Sequence, residues 1–110
     1  MTKLLVQIES PFAGDESNKD YLHAALHDSL LRGEAPFASH AIYTLPGVLD
    51  DTVPEERKLG MEAGFAYLRN ADLVAVYIDK GISKGMEAGI ERASALGIPV
   101  EYRKLSNGVE

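Results

Sequence analysis

Leu73-Val-Ala-Val-Tyr-Ile78, followed by Asp79-Lys-Gly-Ile-Ser-Lys-Gly-Met-Glu87, decides how this 110-residue chain folds. The near-continuous apolar run leaves no polar face. It reads as a central strand of a parallel sheet, covered on both sides. A glycine-containing turn follows, and Ser83 is placed to cap a helix running from about Ser83 to Leu96. Met86, Ile90 and Ala93 lie on that helix's inner face, and Gly97 sits at its end. Strand, turn and helix in this order make the building unit of an α/β fold.

The same unit recurs on either side. Leu4 to Ile8 reads as a buried strand that Ser10-Pro11 ends. From Asp20 to Arg32 the positions Leu22, Ala25, Leu26, Ser29 and Leu30 repeat every three or four residues, and Gly33 stands where a C-cap glycine belongs. Ala35 to Ser39 fits a short strand, with Pro36 restricting it to an edge or a strand start. His40 to Val53 has no period and reads as a long loop, a common place for function. Pro54 suits the first position of a helix, with Thr52 as its cap and Glu55 and Glu56 in the first turn; the helix should reach about Asn70. Pro99 to Tyr102 forms a last strand, and the polar tail from Lys104 is expected to fray.

Four strands with long crossovers predict a mostly parallel sheet of four or five strands with helices on both faces, a three-layer α/β sandwich. Such sheets bind ligands beyond the carboxyl ends of their strands, where the strand order reverses. The segments reaching that edge are Glu9 to Asn18, Ser39 to Val53 and Asp79 to Glu87.

Composition bounds the partners. The net charge is −6 and no Lys/Arg cluster occurs, which argues against a nucleic-acid partner. No apolar run approaches the roughly 20 residues of a membrane-spanning helix. The start of the chain is not a signal peptide, so a cytoplasmic location is expected. The absence of cysteine excludes disulfides, thiolate zinc sites and cysteine nucleophiles. A single domain of this size has a modest stability margin, and self-association is one way to enlarge it.

Several residues carry chemistry. Gly81 and Gly85 allow backbone to come close to a ligand at the start of the last helix. Glu87 then falls in its first turn, near the strand's carboxyl end. Two readings stand: a working carboxylate, or a residue that complements the helix dipole. Gly-Met-Glu-Ala-Gly occurs at Gly60 to Gly64 and again at Gly85 to Gly89. The expected reason is close approach of another helix, including one from a second subunit. The loop Ser10-Pro-Phe-Ala-Gly-Asp15 lacks both the dinucleotide fingerprint and the P-loop pattern. His23 and His27 have a zinc-compatible spacing but no third ligand, and read as a solvated face. His40 lies at the binding edge, either as a contact to phosphate or sugar or as a structural residue.

Asn70-Ala-Asp-Leu-Val-Ala-Val-Tyr-Ile-Asp79, Gly85-Met-Glu-Ala-Gly-Ile-Glu-Arg-Ala93 and Gly97-Ile-Pro-Val100 resemble the nucleoside 2-deoxyribosyltransferase family. They are also similar to the related 2'-deoxynucleoside 5'-monophosphate N-glycosidases. The resemblance covers the last third of the chain, and Ser10-Pro11-Phe12 extends it. Pro36 to Tyr43, Val48-Leu-Asp50 and Pro54 to Arg57 resemble small phage and bacterial proteins of the same group.

The resemblance implies a flavodoxin-like (Rossmannoid) fold and a site that often borrows residues from a neighbouring subunit, so a homodimer or higher oligomer is expected. It implies that Glu87, in the G-x-E-x-G-x-A motif, attacks C1' of a nucleoside or nucleotide and displaces the base. Asp72 and Asp79 would shape the floor, Ser10 and Ser83 would meet a 5'-phosphate, and His40 would close over it, with Pro11, Phe12 and Gly85 beside them. No metal and no organic cofactor is implied. Two positions depart from the family pattern: Gly64 replaces an aspartate, with Glu62 the nearest carboxylate, and Gln7 replaces a tyrosine. Glu9, Asp15 and Asp50 are the other carboxylates near the binding edge, with no ranking among them. The rival expectations are a non-catalytic nucleotide sensor of the same fold and an adaptor with no ligand.

Overall fold

A computed structural model describes residues 3–12 and 15–105. Its elements are β1 (Leu5–Glu9), α1 (Ser17–Leu31), β2 (Ala35–Phe37), α2 (Ser39–Tyr43), α3 (Pro54–Leu68), β3 (Leu73–Tyr77), α4 (Lys84–Ala95) and β4 (Val100–Arg103). The sheet has four strands in the order β2-β1-β3-β4, and every pairing is parallel. Pro36 therefore lies on an edge strand, where its missing N–H costs no ladder bond.

Side-chain alternation builds the two interfaces of the sandwich. Val6, Ile8, Ala75 and Tyr77 pack on the α1 side with Leu22 and Ala25. Val74 and Val76 point the other way, into a second cluster with Leu68, Met86 and Ala93 of α3 and α4. The central run on β3 is thus covered on both faces, as its composition predicts. Gly33 and Gly97 follow α1 and α4 with φ of +85° and +74°, a conformation that favours glycine at a helix end.

The helix ends differ in detail from the expectation. Ser83 caps α4, accepting from the Met86 N–H at 3.3 Å. Thr52 does not cap α3: its hydroxyl donates to Asp50 Oδ1 at 2.6 Å, and Val53 holds the cap position without a side-chain bond. The long loop also contains the short helix α2. This segment has no fully buried residue, so it carries no apolar period to read.

Leu105 at the start of the tail is anchored. Its N–H donates to Asp79 Oδ1 at 2.8 Å, and its side chain packs on the α1-side core. The remainder of the expected frayed tail, residues 106–110, lies outside the described residues, as do residues 1 and 2 at the start of the chain and residues 13 and 14 of the loop after β1. Among the described residues, no helix is long and apolar enough to cross a membrane.

Candidate functional site

A cavity of about 360 Å³ opens at the carboxyl edge of the sheet, inside the range of about 300–1,000 Å³ that small-molecule sites occupy. From β1 the chain crosses outward to β2 and then returns past β1 to β3 on its other side, so the strand order reverses between β1 and β3 and this is the topological switch point. All three segments expected at that edge contribute: Glu9 and Ser10 after β1, Ser39 and His40 after β2, and Ser83 to Met86 after β3.

The repeated Gly-Met-Glu-Ala-Gly segments form much of the wall. Gly60, Gly64, Gly85 and Gly89 all line the cavity. The expectation of close helix approach holds for the first copy, where Gly60 and Gly64 of α3 stand against Tyr43 and Ser39 of α2 in this same chain; Gly89 of the second copy faces Glu9 of β1 instead. A Cβ on residue 64 would lie 2.6 Å from Ser39 Oγ and 3.0 Å from Ser39 Cβ; one on residue 89 would lie 2.7 Å from Glu9 Cδ. Each second glycine thus makes room for a polar group in the cavity. Positions two apart on a helix project about 200° apart. Glu62 and Glu87, each two residues from a lining glycine on either side, consequently point away from it, and both are exposed. Glu87 is therefore not a wall residue within one chain, contrary to the expectation that it faces the binding edge.

Period-2 alternation puts Gln7 and Glu9 on the face of β1 opposite Val6 and Ile8. Gln7 Nε2 donates to Ser39 Oγ at 3.5 Å. The Glu9 carboxyl makes no hydrogen bond or ion pair with any described residue. Burial alone pushes its pKa up to about 8, because nothing offsets the desolvation of its charged form. His40 Nε2 lies 3.1 Å from Ser10 Oγ, and its ring meets Phe12 edge-on with centroids 5.4 Å apart. Burial lowers its pKa to about 4, so it is neutral at pH 7. At the mouth, Arg57 is held by Asp51 at 3.0 Å, and Lys84 makes no ion pair among the described residues.

Of the residues singled out in the sequence, Ser10, Pro11, Phe12, His40, Ser83 and Gly85 converge on this cavity. Asp72 and Asp79 do not form its floor. Asp72 precedes β3 at the opposite edge of the sheet and accepts from the Leu5 N–H at 2.8 Å. Asp79 turns towards α1, accepting from Tyr21 Oη at 2.5 Å. Asp15 accepts from the Ser17 N–H at the start of α1, and Asp50 from Thr52. Among the three unranked carboxylates, only Glu9 lines the cavity. Ser39 and Lys84 line it within segments expected at this edge, although neither was singled out; Arg57 of α3 lines it from outside those segments, and the glycine spacing on that helix is the signal that could have pointed to this wall.

A family model described as a domain of unknown function, DUF7768, matches residues 4–103. The chain belongs to that family. The fold of this DUF7768 domain is similar to that of a 2-deoxyribosyltransferase from Bacillus psychrosaccharolyticus, with a TM-score of 0.73 and 21% identity over 91% of this chain and 72% of that one. It is also similar to a 2-deoxyribosyltransferase from Leishmania mexicana, with a TM-score of 0.60 and 13% identity over 92% of this chain and 64% of that one. At these identities the likeness establishes a 2-deoxyribosyltransferase-like fold and leaves activity to be argued from the site. No curated protein matches the chain.

Two half-buried titratable groups of the DUF7768 cavity, Glu9 and His40, give its stability a defined pH signature. Glu9 keeps its proton in the folded state and loses it from about 4.5 in the unfolded state, so its contribution is full below 4.5 and is lost as pH rises to about 8. His40 does the reverse: its contribution is full above 6.5 and is lost as pH falls to about 4. The two slopes oppose each other between 4.5 and 6.5, and Glu9 acts alone from 6.5 to 8. Wild-type melting temperature should fall across that upper window, with a slope of at most about 1.4 kcal/mol per pH unit. Glu9→Gln should be flat there. Parallel curves for the two proteins would mean that Glu9 is not buried in its protonated form.

Proposed function

We propose that this cavity binds a nucleoside or nucleotide and that the chain cleaves or transfers at the N-glycosidic bond through a carboxyl group. The observation that carries this reading is a ligand-sized cavity at the switch point of a 2-deoxyribosyltransferase-like fold, lined by a half-buried carboxyl, that of Glu9, with no hydrogen-bond or ion-pair partner among the described residues. In the chemistry the resemblance implies, a carboxylate oxygen bonds to C1'. The base leaves with the C1'–N electron pair and takes up a proton, and water or a second base then releases the sugar. Ser10, His40 and Ser83, which line the cavity, would hold a sugar hydroxyl or a 5'-phosphate in this reading, with Lys84 at the mouth to favour the phosphate. No metal or organic cofactor enters this scheme. A cytoplasmic location belongs to the same reading.

The resemblance assigns the attacking carboxylate to Glu87. Facing outward, Glu87 reaches a ligand only across a subunit boundary, so this assignment goes with a homodimer. Sedimentation at twice the mass of the 11.9 kDa chain is the expected result; a monomer at all working concentrations removes both.

A non-catalytic sensor is the second reading. It is favoured by Gly64, where Ser39 leaves no space for the aspartate of the family pattern. Melting curves with 2'-deoxynucleosides and their 5'-monophosphates, together with assays for free base, separate the possibilities. A ligand at 100 times its dissociation constant adds about 2.7 kcal/mol of stability. Stabilisation with base release supports the enzyme; stabilisation without release supports the sensor. No stabilisation by any member of the panel sinks the nucleoside reading and leaves an adaptor.

A further inference from the structure

Resting on the nucleoside reading above, we propose that Glu9 is the catalytic acid of the cavity: its carboxyl gives the departing base its proton as the C1'–N bond breaks. Glu9 ends the central strand β1, beside the point where the strand order reverses. Strand alternation directs it to the α3–α4 side of the sheet, where its carboxyl lies against Gly89 of α4. The other carboxyls that line the cavity among the described residues, Asp51 and Glu56, are already engaged. Asp51 is tied to Arg57, and Glu56 accepts from the Asp50 N–H at 2.8 Å.

The charged and titratable groups around Glu9 leave its proton in place. His40 on α2 is neutral and engaged with Ser10. Arg57 on α3 is neutralised by Asp51, and Lys84 on α4 stands in solvent at the mouth. None of them bonds to Glu9, so burial keeps its carboxyl protonated through neutral pH. A protonated carboxyl donates; it does not attack. The step balances as hydrolysis. The C1'–N electron pair passes to the base nitrogen, which takes the Glu9 proton. A water oxygen bonds to C1', and a proton from that water returns to the Glu9 carboxylate. Base and free sugar leave, and Glu9 is restored.

The test follows binding and base release separately, for 2'-deoxynucleosides and their 5'-monophosphates, in wild type, Glu9→Gln, Glu9→Asp and Glu87→Gln. Calorimetry should show Glu9→Gln binding within a few-fold of wild type. Its release rate should fall by at least about 100-fold, the usual contribution of a general acid. Glu9→Asp should retain part of the rate. Wild-type kcat should decline as pH rises through about 8. Wild-type-like release from Glu9→Gln, or loss of release confined to Glu87→Gln, overturns the role of Glu9 while the nucleoside reading stands. Binding by wild type without any release overturns it as well. Absence of binding by wild type defeats the nucleoside reading itself.

Discussion

Gly89→Ala is expected to leave the chain as stable as wild type, or slightly more stable, and to cut base release by roughly 100-fold. Alanine in a helix interior is favoured over glycine by about 1 kcal/mol. The added Cβ would stand 2.7 Å from Glu9 Cδ. That carboxyl is the far end of a flexible side chain, so it can swing aside without moving backbone. Displacement of a reacting group by about 1 Å costs on the order of 100-fold in rate. Gly64→Ala is the contrasting case. Its Cβ would meet Ser39 Cβ at 3.0 Å, close to the α2 backbone, which cannot swing. Overpacking of that kind costs about 1–3 kcal/mol. Melting temperature and turnover, measured on both variants, should therefore separate cleanly: activity lost with stability kept at 89, stability lost at 64. A Gly89→Ala protein with full turnover would show that the position of the Glu9 carboxyl does not matter.

Arg103→Met should produce the largest loss of stability, about 3–5 kcal/mol, the usual cost of removing one partner of a buried ion pair. The Arg103 side chain on β4 is 3% exposed and Glu34 is 12% exposed. The guanidinium donates to both Glu34 oxygens, at 2.9 and 2.7 Å, and to Tyr77 Oη at 3.2 Å. That two-pronged contact holds the Glu34 carboxyl below its usual range. Glu34 therefore contributes stability at neutral pH that is lost as pH falls through its folded value. In Arg103→Met the same carboxyl is buried with only Ser29 to donate to it, at 2.8 Å. Urea titration should show the loss at pH 7, smaller at pH 4, and largely recovered in Glu34→Gln/Arg103→Met. A loss under 1 kcal/mol would mean that water reaches Glu34 readily.

The fold was legible because its signals are local. The Leu73 to Ile78 run, the Gly33 and Gly97 stops and the proline before α3 each act within a few residues of themselves. Helix α2 escaped because five half-exposed residues carry no period. The site was only partly legible, for a different reason. Strand alternation groups Gln7 with Glu9, but nothing in the strand says which helix lies opposite. The partner, Gly89, is distant in sequence. Glu87 illustrates the converse: an identical motif fixes which residue it is, whereas the helix phase decides where it points. Once the glycines flanking it face the cavity, it cannot. Asp72 and Asp79 were similarly assigned by position in the chain. Their carboxylates serve the opposite sheet edge and the α1 face instead.

The parallel strand order also dictates when the chain can become stable during its own synthesis. No two strands adjacent in the sheet are joined by a hairpin, so each pairing waits for a crossover to emerge. The Arg103–Glu34 clamp ties the last strand back to the residue just before β2. A nascent chain that has made everything up to α4 still holds Glu34 without its counter-charge. The β3–β4 pairing and the neutralisation of Glu34 by Arg103 are therefore the last parts of the sheet that can form.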